Sequence, residues 1–184
     1  LFDQVFGEGA VSSEEEFRGK IKAGIAAQFE ADSNYKFLLD VRTYTMNKVG
    51  KMEFSEPLLK KIMLMNNQEK GQAFVDENYE KSLEELSWYL IKEQLVEANG
   101  IKVEQDDLLA VAKENTRMQF AQYGMNNLPE EMIENYAKEQ LKKKENVEGL
   151  VNRAVEVKLA AALKSKVALN NKEVTAEEFN ELLK

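Results

Sequence analysis

Three runs of acids, Glu14-Glu15-Glu16, Asp106-Asp107 and Glu130-Glu131, are the residues from which general acid–base chemistry or a divalent-metal site could be assembled, because paired carboxylates supply both. Each run stands where a helix is predicted to begin, and acids there favour the positive end of the helix dipole. That role accounts for all three. No calcium loop with alternating oxygen ligands is present. Lys60-Lys61 and Lys142-Lys143-Lys144 lie in acidic surroundings and read as solvated helix faces, not phosphate sites. The chain has no cysteine and no histidine, so disulfides, zinc-thiolate sites and the commonest general base and metal ligand are all excluded. No nucleophile–base pair or cofactor loop can be assembled from what remains, and neither catalysis nor a cofactor nor a metal is expected.

A different chemistry, weak and adaptable apolar contact, is carried by Met118, Phe120, Tyr123, Met125, Met132 and Tyr136. They fall within about twenty residues around one predicted helix–helix turn, where a small domain normally places polar residues. The flexible, polarisable methionine side chain lets a surface repack around varied apolar partners. The same residues also suit a closed cluster packed on itself or on a central helix, since apolar periodicity does not separate a core from an exposed patch. Met46, Met52, Phe54, Met63 and Met65 form a second candidate patch, again with a buried crossing as the alternative.

The elements that position these residues are helical throughout. With 32% charged residues, only two prolines and Glu, Lys, Leu and Ala in three-to-four spacing, the chain reads as all-α. Residues 83–123 organise it. Leu83, Leu86 and Leu90, with Trp88, Ile91 and Leu95 beside them, form a wide apolar face that ends at Asn99-Gly100. Ile101-Lys102-Val103 reads as a short extended crossing, and a second helix restarts at Asp106-Asp107 with Leu108, Leu109, Val111, Ala112, Met118 and Phe120. An antiparallel hairpin is expected, supported by a third element, since neither face can be buried by one helix alone.

Upstream, an apolar lead-in at Phe2, Val5 and Phe6 is expected to dock on a preceding domain. Ser13-Glu14-Glu15-Glu16 is a capping box opening a long helix. Phe17, Ile21, Ile25 and Phe29 give that helix one apolar stripe, and Tyr35, Leu38, Leu39, Met46 and Val49 a second, before Gly50. Unbroken, it would run about 36 residues and roughly 54 Å. A kink is conceivable at Asp32-Ser33-Asn34. Ser55 and Pro57 start the next helix, with Leu58, Leu59, Ile62, Met63 and Met65 on its face. Leu128-Pro129-Glu130-Glu131 starts another, carrying Met132, Ile133, Tyr136 and Leu141. The most continuously apolar helix, residues 145–167, is the expected central strut, and Val174-Thr175 opens a capped tail helix at residues 175–184. Helix–crossing–helix arms are expected at residues 13–69 and 70–143 of a single elongated domain spanning residues 1–184, with residues 1–12 as lead-in. The device recurs too irregularly for a solenoid.

The arm order, the Ala98-Asn99-Gly100-Ile101-Lys102-Val103 crossing followed by Leu108-Leu109, the Phe120-Ala121-Gln122-Tyr123-Gly124 helix end and the tail from Val174 to Leu183 resemble the C-terminal domain of bacterial trigger factor over nearly the whole chain. The resemblance implies an elongated helical domain of a cytoplasmic, ribosome-associated chaperone active in protein folding and transport. The parent's ribosome-binding and peptidyl-prolyl isomerase domains would lie outside this chain. The family's Gly-Phe-Arg-rich docking loop is absent here, so ribosome binding is expected only through that missing domain. The periplasmic SurA-like chaperones share a similar arm design.

A net charge of -8 repels nucleic acid and anionic membranes, and there is no apolar run long enough to span a bilayer. The expected function is ATP-independent holding of unfolded or nascent polypeptides by several weak apolar patches. The opposing possibility is a structural or adaptor bundle with one fixed protein partner and internally packed faces.

Overall fold

The computed structural model describes residues 11–125 and 128–183. Among these the chain forms seven helices and no strand: α1 (Glu14–Val49), α2 (Glu56–Asn66), α3 (Gly71–Ala98), α4 (Gln105–Ala121), α5 (Glu130–Lys142), α6 (Lys144–Lys164) and α7 (Ala176–Leu182). The all-α class expected from the periodicity is correct. The lead-in at Phe2, Val5 and Phe6, and Asn126 and Asn127 in the turn before α5, lie outside the described residues.

Helix ends follow local chemistry. At α1, the Ser13 Oγ accepts the Glu16 N–H at 3.2 Å, while the Glu16 carboxylate accepts both the N–H (2.9 Å) and the hydroxyl (3.1 Å) of Ser12. The box therefore closes on Ser12, one residue earlier than expected, and the Ser12 N–H holds the Glu16 carboxyl below its ordinary range. α1 then passes through Asp32, Ser33 and Asn34 unbroken. Asp32 accepts from the Gln28 amide at 3.1 Å and Asn34 from the Lys164 ammonium, so neither carboxamide nor carboxylate opens the backbone ladder. Ser55 takes the N-cap position of α2 without a side-chain cap bond, a departure from expectation that leaves Glu56 and Pro57 to favour the first turn. The tail helix behaves as read: Thr175 Oγ1 accepts the Glu178 N–H at 3.2 Å and Glu178 accepts the Thr175 N–H at 2.8 Å.

The helices gather into two compact units, Leu38–Gly100 and the described residues up to Phe37 together with those from Ile101 onward. The expected hairpin of residues 83–123 is divided between them: α3 packs on α2, and α4 packs on α5 and α6. The apolar face of α3 continues N-terminally past Leu83 to the buried Val75 and Tyr79, and α2 is the helix that precedes it by one short turn. In this smaller unit Lys60 reaches Glu56 (2.9 Å) and Asp76 (3.1 Å) and sits 5.0 Å over the Tyr79 ring. Arg42 spans Glu84 (3.1 Å) and Glu85 (2.9 Å).

In the larger unit the predicted strut, α6, does support α4. The core is built from Ala112 of α4, Ala137 of α5 and Leu150 of α6, with Leu108, Leu109, Val111 and Leu141 packed around it. Two fully buried alanines let these helices approach closely, since interaxial distance follows the side chains at the contact. Thr116 is fully buried, and its hydroxyl donates to the Ala112 carbonyl at 2.7 Å, so no polar group is stranded. Asp107 joins cap to core. Its carboxylate accepts the Lys158 ammonium of α6 at 2.6 Å and the Glu104 N–H at 2.8 Å, and these two contacts, the lysine's the larger, depress its pKa.

Candidate functional site

The turn between α4 and α5 is set by a Schellman closure. Gly124, at φ 75°, donates to the Ala121 carbonyl at 2.9 Å, and the Met125 N–H returns to the Phe120 carbonyl at 3.0 Å. Only glycine takes this left-handed conformation without strain, and it folds Met125 back toward the end of α4. Pro129 then occupies the N-cap position of α5, its carbonyl accepting the N–H groups of Met132 (2.9 Å) and Ile133 (3.1 Å).

Beside this turn lies a cleft of about 710 Å³. Its lining is mixed: Met118, Ala121, Met125, Leu128, Pro129 and Ile133 are apolar, Gly24 and Gln28 come from α1, and Glu114, Arg117 and Glu130 are charged. The charged residues form a clamp between helices. Glu130 of α5 accepts Arg117 (2.7 Å) and Lys113 of α4, and Arg117 also meets Glu114 at 3.4 Å. The Lys113 and Arg117 hydrogen bonds hold the Glu130 carboxyl below its ordinary range, and Glu130 in turn raises Arg117. The clamp fixes the helices on which the methionines stand.

The six residues singled out around this turn are brought together unequally. Met118 is 43% exposed, Met125 50% and Tyr123 76%, and Met132 and Tyr136 are about half exposed as well. Phe120 differs: it is half-buried and stands edge-on to Tyr136, with ring centroids 5.0 Å apart at 76°. The cluster thus combines a ring pair that supports the turn with methionine and tyrosine surface left open to solvent. Ile133, Leu128 and Ala121 belong to the cleft and were not singled out as site residues. Their spacing marked a helix face but could not say that this face lines a concavity.

The residues of the second candidate patch differ in exposure. Met46, Met52, Phe54 and Met63 are half-buried, and Met65 is exposed. A cleft of about 480 Å³ there takes Met46 with Arg42, Thr43, Asn47, Gly50, Lys51 and Glu84.

The acidic runs are engaged in caps and ion pairs. Glu14 meets Arg18 at 2.8 Å, and Glu16, Asp107 and Glu130 have the partners described above. Among the described residues no three carboxylates converge as a metal site would require, and no helix is long and apolar enough to cross a membrane.

Neither curated proteins nor solved structures give a match to the chain. The family model described as probable trigger factor, C-terminal domain, matches residues 33–183. Covering most of the chain, including α2 to α7 and the whole α4–α5 turn, that match shows that the chain belongs to the trigger factor C-terminal domain family, one of chaperone-related function.

Proposed function

We propose that the chain holds unfolded or nascent polypeptides, without ATP, in the mixed apolar and charged cleft and on the exposed methionine and tyrosine surface at the α4–α5 turn. The observation that supports this reading is the exposure of Met118, Tyr123, Met125, Met132 and Tyr136, of which Met118 and Met125 line the cleft. An apolar surface open to solvent at a turn costs solubility unless it has a partner, and methionine side chains accept partners of varied shape. Charge around it supports the same use. A net charge of -8 keeps the holder and its loaded complex apart from other copies.

The contacts available are weak one by one, so binding is multivalent: an extended client touches the cleft, the turn and further apolar surface together. The work is assigned to the cytoplasm, within a ribosome-associated parent whose docking and isomerase domains lie outside this chain. The test is light scattering from a refolding client, with the 184-residue chain added in the absence of nucleotide. Scattering should fall in proportion to added chain. Undiminished scattering at several-fold molar excess would refute the proposal, as would suppression that required ATP.

A further inference from the structure

The first half of α1 carries an apolar stripe most of which lies outside the core of the described residues. Phe17, Ile21, Ile25 and Phe29 recur every four residues, and every residue from 18 to 31 is exposed, with Ile25 at 53% and Phe29 at 41%. Phe17 is half-buried and engaged, which leaves Ile21, Ile25 and Phe29 as the open part of the stripe, and among the described residues α7 touches it. The Phe179 ring of α7 stands edge-on to Phe29, with centroids 5.7 Å apart at 71°.

α7 is built like a bound peptide. It is seven residues long, contains no buried residue, and is joined to α6 through residues 165–175, all of them exposed. Its capping box at Thr175 and Glu178 sets the helix start locally, but seven residues do not hold a helix in water alone, so its helicity depends on the face it sits against. Phe179, Leu182 and Leu183, at i, i+3 and i+4, give it one apolar side, while Glu177, Glu178 and Glu181 are spread over the remainder. The face and the kind of segment that sits on it are thus both present in the one chain.

From this we infer that the Ile21–Ile25–Phe29 part of the stripe is a second docking face, fitted to a short amphipathic helical segment with an aromatic anchor, and that α7 is its resident, displaceable occupant. A tether of this length holds α7 at millimolar effective concentration, so the tail screens the stripe from weak encounters while yielding to a segment that makes more contacts. That client segments are what displace it rests on the holding role proposed above; the docking face itself does not.

The probe is a fluorescein-labelled synthetic peptide with the sequence of residues 174–183, titrated into the full chain and into the Phe179→Ala chain. Removing the resident ring should tighten peptide binding about two- to tenfold, the factor carried by one edge-to-face aromatic pair. A peptide with alanine in place of its phenylalanine should lose that gain, and Ile25→Ser with Phe29→Ser in the Phe179→Ala chain should abolish binding. In the unaltered chain, where no substitution can perturb folding, the peptide should speed hydrogen exchange at the Phe179 N–H, which donates to the Thr175 carbonyl at 2.9 Å. Equal affinity for the parent and Phe179→Ala chains, with exchange unaffected, overturns the inference. So does binding that survives Ile25→Ser and Phe29→Ser. Tyr123→Ser with Met125→Ser should leave peptide affinity unchanged; a loss there would move the peptide to the α4–α5 cleft, overturning the stripe while supporting the cleft.

Discussion

Replacing Tyr123 and Met125 together by serine removes apolar surface that a client could cover while removing little that the fold uses. Tyr123 is 76% exposed and Met125 50%. Full burial of such a side chain is worth about 1.5–3 kcal/mol, so a client covering the open fraction of both gains about 2–4 kcal/mol before costs. Ordering the side chains on both partners takes back about 0.5–1.5 kcal/mol each, leaving roughly 1–2 kcal/mol, or about a 5- to 30-fold fall in affinity. The buried fractions that the fold loses amount to about 1–2 kcal/mol by the same coefficient. Emptying a true core position costs more: Leu159, fully buried in α6, should lose about 2.7–5 kcal/mol on replacement by alanine. The assay is fluorescence titration with a labelled unfolded client, run beside thermal melts of the three chains. A double variant that binds client as the parent does, yet melts as low as Leu159→Ala, would mean that these residues serve the core and that the exposure argument is wrong.

Leu159→Ala itself should lower the melting temperature sharply yet leave client affinity per folded molecule unchanged, which combined denaturation and binding measurements would check. Gly124→Ala should destabilise the α4–α5 turn by about 1–2 kcal/mol through its left-handed φ alone, since beyond its chain neighbours an added Cβ would meet nothing within 4 Å. The expected readout is a lower melting temperature that is not accompanied by loss of helical circular dichroism at low temperature. Acid should weaken the larger unit. Asp107, Glu130 and Glu134 have folded pKa values held down mainly by Lys158, Lys113 and Lys138 respectively, so their contribution is present above the ordinary carboxylate range and is lost as pH falls through the depressed values. Melting temperatures should drop below about pH 4, and Asp107→Asn should cost stability at pH 7 but little at pH 2. An equal cost at both values would show that its charge is not the cause.

Helix existence was legible in the sequence because apolar spacing, capping boxes and Gly50, Gly100 and Gly124 are local signals. Partner choice was not. Leu83 to Leu95 announced a broad face, but a face does not name what covers it, and α3 took α2 where α4 was expected. The core of the larger unit hides in small residues: Ala137 and Thr116 carry no weight in an apolar stripe, yet both are fully buried. Around the candidate site the methionines were visible as a composition anomaly. The ring pair of Phe120 and Tyr136 and the Arg117–Glu130 clamp join helices across a turn, at separations that no helical period connects. Ile21, Ile25 and Phe29 of α1 show the converse, since the same four-residue spacing that elsewhere marks a core here is exposed.

The central claim is that the α4–α5 turn is where a client lies, and a photoreactive phenylalanine analogue tests it directly. Placed singly at Tyr123, Met125 and Met132, and for comparison at the exposed polar positions Glu148 and Asn152 of α6, it reports which surface an unfolded client touches. Crosslinking to client should be several-fold greater at the three turn positions and should be suppressed by excess unlabelled client. Equal yields at all five positions, or the highest yields on α6, would contradict the claim.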